Sequence, residues 1–201
     1  MSRTSRSPEG GFTLIELLAV IIVGGVLLTA LTTFYLSEQR AFRQQQIQIE
    51  TSQALRVALE QIVRDVRVAG RNPLSTVGIG LTYASGTELR FTLDADGDGT
   101  ANLTDRAEHK GFQLNGTVIR TWVADALNPW QDLAAYVDPA ATPIFRYYRG
   151  DLTEVTALPA SSTDLSAIRR VDVVLTVTNR VPAAPDINRT EAATIRLRNL
   201  S

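Results

Sequence analysis

From Leu17 to Ser37 the chain carries no charged residue, a run of roughly 21 residues, long enough as a helix at about 1.5 Å per residue to cross a bilayer. Few soluble folds can bury such a run, so hydropathy alone reads it as a membrane anchor. Glu16 makes the reading narrower. A carboxylate inside a membrane helix is costly, on the order of 2.5–3.5 kcal/mol at its centre, so one placed at the start of such a run has a partner or a task. The preceding residues carry Arg3 and Arg6 against Glu9, and positive flanks stay on the cytoplasmic side. Everything after the run is therefore expected outside that membrane. An ordinary secretory signal is cut after its apolar stretch at small residues. Leu36-Ser37-Glu38 offers no such site, and the apolar run is expected to be kept.

Gln, Arg, Ala, Leu and Glu dominate residues 38–69, which contain neither Gly nor Pro. Leu55, Leu59, Ile62, Val66 and Ala69 recur at steps of three and four, with Ala58 and Val63 widening the stripe, while Arg56, Glu60, Gln61, Arg64 and Arg67 lie elsewhere. Gly70 is placed to end the helix, and Asn72-Pro73 forbids its continuation. The spacing thus predicts one helix from Phe12 to Ala69, near 87 Å at about 1.5 Å per residue, apolar all round at first and then amphipathic.

The remainder reads as a sheet. Leu89, Phe91 and Leu93 alternate with Glu88, Arg90 and Thr92, the period of a half-buried strand. Asn115-Gly116 between Phe112–Leu114 and Val118–Arg120 predicts a type I′ hairpin. Ile144–Tyr148, Val171–Thr178 (with Val171, Val173, Leu175 and Val177 on one face) and Ala193–Leu200 (with Ile195 and Leu197 inward) are further strands. The stretches 70–80, 125–143, 157–166 and 180–189 are loop-like. A long helix followed by an antiparallel sheet makes the chain α+β. With no cysteine, an exported domain of this kind is held by packing or by metal. A net charge of −1 gives no field that would select nucleic acid.

The run Gly11-Phe12-Thr13-Leu14-Ile15-Glu16-Leu17-Leu18, with its basic leader and apolar sequel, resembles the leader and first helix of type IV prepilins. The resemblance implies cleavage between Gly11 and Phe12, N-methylation of Phe12, and a role for Glu16 in assembly register. In a stack of helices Glu16 could neutralise the amine of a neighbour's Phe12, since an unpaired buried charge is costly and a paired one tolerable. The implied layout is a removed leader over 1–11, a transmembrane and assembly half of the helix over 12–36, its amphipathic half over 37–70, and a β-rich globular domain over 71–201. The implied fold is the type IV pilin fold, and the implied site is the bacterial inner membrane, the globular domain periplasmic, followed by the pilus. Implied partners are other minor and major pilins through helix–helix packing, a prepilin peptidase that also methylates, and an inner-membrane assembly platform.

Arg64-Asp65-Val66-Arg67-Val68-Ala69-Gly70 is similar to the close of the first helix in PilW-type minor pilins. An acidic Gly-containing loop, a Leu-Asn-Gly turn and an Ile-Arg-Arg-Val strand follow in the order of that group. J-type pseudopilins of type II secretion share the anchor and a similar helix. The chain lacks the membrane-half Pro and the C-terminal disulfide loop common in major pilins, which argues for a minor subunit that primes or caps a pilus serving motility and adhesion. Such a subunit is structural rather than enzymatic and requires no cofactor.

Asp94-Ala95-Asp96-Gly97-Asp98-Gly99, with Asp105 at position twelve, has the spacing of an EF-hand-like calcium loop. Asp94, Asp96, Asp98, the Thr100 carbonyl and Asp105 are its ligand candidates. The alternative is a solvated Asp/Gly turn between strands, and both readings stand at this point. A loop that is its main activity would make the chain a membrane-anchored calcium-binding adhesion or sensor module. His109 lacks a second His or any Cys to complete a transition-metal site and is read as packed or solvated. Trp122, Trp130, Tyr136, Tyr147 and Tyr148 are read as core and rim rather than as a recognition surface. Arg169, Arg170, Arg180, Arg189, Arg196 and Arg198 are read as a solvated face rather than a DNA-binding stripe.

Overall fold

The computed structural model of the protein describes residues 13–74, 79–105, 107–122, 129–141, 143–179 and 187–200. Two compact units are distinguished, Met1–Gln46 and Ile47–Ser201. The described part of the first is helical from Leu14 onward.

Helix α1 spans Leu14–Arg67, 54 residues. It stops two residues short of the expected Ala69, because its last turn tightens: the Val68 and Ala69 N–H groups donate to the Asp65 and Val66 carbonyls at 3.3 and 3.1 Å. Gly70 follows at φ +73, the left-handed exit that glycine allows. The apolar stripe is where periodicity puts it: Leu55, Ala58, Leu59, Ile62 and Val66 are buried.

In the second unit α1 packs on two antiparallel sheets rather than one. The first runs in the order β1 (Leu81–Ala84), β2 (Glu88–Thr92), β3 (His109–Asn115), β4 (Val118–Trp122), β5 (Trp130–Ala134). The second holds β6 (Phe145–Arg149), β7 (Ile168–Asn179) and β8 (Ile187–Arg196). The isolated bridge Val137↔Val177 and the Ile144 N–H bond to the Gly86 carbonyl (2.8 Å) stitch the two together. Between them lies one core: Phe91, Phe112 and Ile119 from the first sheet, Phe145, Val173 and Ile195 from the second, and the helix stripe, all buried.

Some short elements lie outside those the sequence predicts: β1 directly follows the loop-like stretch 70–80, β5 lies within 125–143, and a short helix overlaps 157–166. β1 is four residues and β5 is Trp-Gln-Asp-Leu-Ala without alternation, both too short or too mixed to show a period. Helix α2 (Ser162–Ala167) is opened by Ser161, whose Oγ accepts from the Asp164 N–H at 3.2 Å and donates to the Asp164 carboxylate at 2.8 Å. The hairpin also differs. Asn115 pairs directly with Val118, so the two-residue turn is Gly116-Thr117. Gly116 has φ +60 and Thr117 is not in the positive-φ region, which makes the turn type II′ instead of I′.

β2 is more buried than its alternation suggests. Glu88 and Thr92, expected to face solvent, are covered. The Thr92 hydroxyl accepts from the Gly80 N–H (3.1 Å), and Glu88 accepts from Gln113 (2.9 Å) and from Arg90. Tyr147 lies in the core with its hydroxyl donating to the Ser85 carbonyl at 2.8 Å, and burial pushes this phenol well above its usual range. Tyr147→Phe keeps the shape but strands that carbonyl, so we expect a loss of about 1–2 kcal/mol in urea unfolding of the detergent-solubilised chain.

Candidate functional site: the helix start and the acidic loop

Thr13 and Glu16 form a reciprocal cap on α1. The Thr13 N–H donates to the Glu16 carboxylate at 2.9 Å and its hydroxyl does so at 3.0 Å, while the Glu16 N–H reaches back to Thr13 Oγ1 at 3.4 Å. Beyond this cap, over residues 17–36, the helix presents a mostly apolar surface. Leu14 is 83% exposed and Ile15 75%, and the large apolar side chains that follow, from Leu17 to Leu36, are exposed as well. The threonines in it are satisfied locally: Thr29, Thr32 and Thr33 donate to the Gly25, Leu28 and Thr29 carbonyls at 2.7–2.9 Å. Gly24 and Gly25 stay within the helix. No polar group along this surface is left seeking water, which suits lipid or other helices.

Residues 6–32 match the family model described as the prokaryotic N-terminal methylation motif. In structure, the chain is similar to a type IV-like pilin from Thermus thermophilus, with 13% sequence identity, a TM-score of 0.50, and coverage of 75% of this chain and 96% of that one. The chain thus joins a prepilin-type N-terminal motif to a type IV pilin-like fold. A search of the curated proteins by sequence finds no match. The α+β fold is that of the type IV-like pilin, and the long apolar helix fits a membrane anchor. Gly11 and Phe12, the pair between which cleavage is expected, lie outside the described residues.

The second candidate site of this pilin-like chain is the loop from β2 to β3. Gly97 and Gly99, at φ +84 and +85, wind it so that backbone N–H groups point inward. The Asp94 carboxylate, fully buried, accepts from both of them at 2.6 and 3.0 Å. Glu108, 3% exposed, accepts from the Ala95 and Asn102 N–H groups at 3.1 and 2.7 Å. One oxygen each from Asp94, Asp96 and Glu108 lies within 4.8 Å of the others. Among the described residues this trio is the acidic cluster with metal-ligating geometry.

The trio differs from the set expected from spacing. Asp94 and Asp96 are brought together, but Glu108 takes the third place. Asp105 instead accepts from the Ala107 N–H at 2.7 Å within its own turn. Asp98 accepts from the Thr100 N–H and hydroxyl at 2.7 and 2.8 Å, which hold its carboxyl below the usual carboxylate range. Glu108 was hidden because it lies three residues past the motif's last position, directly before β3, where the turn at Asp105 returns the chain toward Asp94.

His109 is buried, its Nδ1 donating to the Leu103 carbonyl at 3.1 Å and its ring 5.5 Å from Trp122. Trp122 meets Trp130 edge-on at 5.0 Å, with the Arg90 guanidinium 4.9 and 5.5 Å from the two rings. Tyr136 is exposed, and Tyr148 carries Arg170 at 3.7 Å over its ring. Among the described residues these arginines are divided between the two faces of the second sheet. Arg170 and Arg196 oppose each other across β7 and β8, Arg189 pairs with Glu191 on the other face, and Arg180 lies outside the described residues.

Proposed function

We propose that this pilin-like chain is a minor pilin of the PilW type, a structural subunit that helps prime or cap a type IV pilus and so supports motility and adhesion. The observation that carries this is the coupling of the methylation motif to Glu16 and an unpartnered apolar helix. In this reading a prepilin peptidase cuts after Gly11 and methylates Phe12. The anchor holds the chain in the inner membrane with the β-rich domain in the periplasm, and major and minor pilins pack against the helix at the assembly platform. The sequence of the helix close Arg64–Gly70, which resembles that of PilW-type minor pilins, favours the PilW type over the J-type pseudopilin of type II secretion. N-terminal mass spectrometry of the protein from membranes and from sheared filaments tests it. N-methyl-Phe12 in both fractions is expected; an intact Met1, or a terminus beyond Ser37, rejects it.

The same reading gives the acidic loop to calcium, on the strength of the carboxylates of Asp94, Asp96 and Glu108. Calcium takes six to eight oxygens at 2.3–2.6 Å, so backbone carbonyls and water complete the shell. At a Kd of about 10⁻⁴ M, typical of extracellular modules, 1 mM calcium stabilises the fold by about 1.4 kcal/mol. A rise in Tm of a few degrees on adding calcium after EGTA treatment, and not on adding magnesium, is expected. An unchanged melting curve leaves the loop a hydrogen-bonded turn and makes the calcium-dependent sensor or adhesin role untenable.

A further inference from the structure

Among the described residues, β8 is the one long strand edge left open. The outer edge of β1 is met by the Ala160 N–H bond to the Ala84 carbonyl (2.9 Å), and that of β6 by residues 153–155, through Val155 N–H to Tyr147 C=O at 2.8 Å and Arg149 N–H to Thr153 C=O at 2.9 Å. β5 ends its sheet with only five residues. β8 has ten. Proteins normally shorten, cover or bend such edges, because a row of free N–H and C=O groups is a template for another strand.

Register identifies those groups. Leu197 N–H donates to Arg169 C=O at 2.9 Å, and pairing continues as Ile195↔Val171 and Ala193↔Val173. Opposed residues in an antiparallel ladder alternate between bonded and non-bonded pairs, so the odd-numbered residues of β8 turn their backbone groups toward β7. Asn188, Thr190, Ala192, Thr194 and Arg196 turn theirs outward. Among the described residues no backbone group meets them.

Beside this edge runs a groove of about 480 Å³ between α1 and β8. Its floor is apolar, from Leu59, Val63, Val68 and Ala193, because the small Ala193 leaves a gap where the larger Ile195 closes against the core. Arg64 and Arg67 stand on its rim, exposed and without an ion pair among the described residues. The acid there, Glu60, is already paired with Arg56 at 3.1 Å.

We propose that this edge and groove form a docking site for an extended segment of another polypeptide, added as a further strand on β8. Its apolar side chains would alternate into the groove, and a carboxylate would meet Arg64 and Arg67. Main-chain bonds to the five outward residues supply the affinity, and the apolar floor and paired arginines supply the choice of sequence. This contact is distinct from helix–helix packing of the anchor and does not depend on the minor-pilin reading.

Residue-resolved amide exchange on the full chain in detergent tests it. The probe is a capped ten-residue peptide alternating valine with aspartate and threonine. At saturating peptide we expect exchange at Asn188, Thr190, Ala192, Thr194 and Arg196 to slow tenfold or more, with the odd-numbered amides, already in the ladder, unchanged. Ala192→Pro removes an outward N–H without touching the β7 ladder and should abolish the response at an unchanged Tm. The exposed pair Arg64→Glu/Arg67→Glu cannot perturb the core and should weaken binding at least tenfold. Absent or uniform slowing, or equal binding of a peptide with lysine in place of aspartate, overturns the proposal.

Discussion

Glu16→Ala is expected to leave removal of the leader nearly unchanged and to cut the filament-associated fraction on the order of a hundredfold. The size follows from what the carboxylate is proposed to do. If it neutralises the Phe12 amine of a neighbour inside a packed helical core, deleting one partner of a buried ion pair costs about 3–5 kcal/mol at each junction. Within the single chain Glu16 has a smaller task, since its bonds from Thr13 cap α1. Losing that cap costs about 1 kcal/mol and should not detach a helix as apolar as this one from a membrane. Glu16→Gln separates the two roles. The amide oxygen can still accept from the Thr13 N–H but cannot neutralise an amine. If charge sets register, Gln and Ala variants both drop out of sheared filaments; if capping is the whole role, Gln assembles normally. Immunoblots of membrane and filament fractions for the three proteins decide between them.

The parts of this chain that were readable in sequence are those in which one physical demand dominates a long stretch. Lipid or helix contact dictates the character of residues 17–37, and a single buried stripe dictates Leu55 to Val66, so α1 and its buried face follow directly. β7 was equally plain, because Val171, Val173, Leu175 and Val177 all face the core. What escaped was decided by contacts between distant residues. Glu88 and Thr92 read as solvent-facing, yet Gln113 and Gly80 cover them from other parts of the chain. β5 owes its existence to pairing with β4, and its own side chains carry no period. In the acidic loop, position-counting found Asp94 and Asp96 but assigned Asp105, since a linear motif cannot register the turn at Asp105 that brings Glu108 back.

Gly70 is where the helix, β2 and the C-terminal residues meet with no room to spare, and Gly70→Ala is expected to destabilise the folded domain by about 2–4 kcal/mol. Two costs combine. At φ +73 a Cβ is strained by about 1–2 kcal/mol whatever surrounds it. That Cβ would also lie 2.3 Å from Leu200 Cδ2 and 3.0 Å from its Cγ, forcing the leucine off its seat. The backbone has little freedom to yield, because the Gly70 N–H donates to the Thr92 carbonyl at 3.0 Å and Asn199 Nδ2 donates to the neighbouring Ala69 carbonyl at 3.4 Å. Leu200→Ala trims the obstacle and isolates the first cost. In the double variant only the conformational strain remains to be added, so the two losses should fall short of additivity by about 1 kcal/mol or more in urea unfolding of the detergent-solubilised chain. Strict additivity would mean that Leu200 does not sit over Gly70 in solution, and the tie between the helix end and the C-terminal residues would then be a weaker one than the packing here requires.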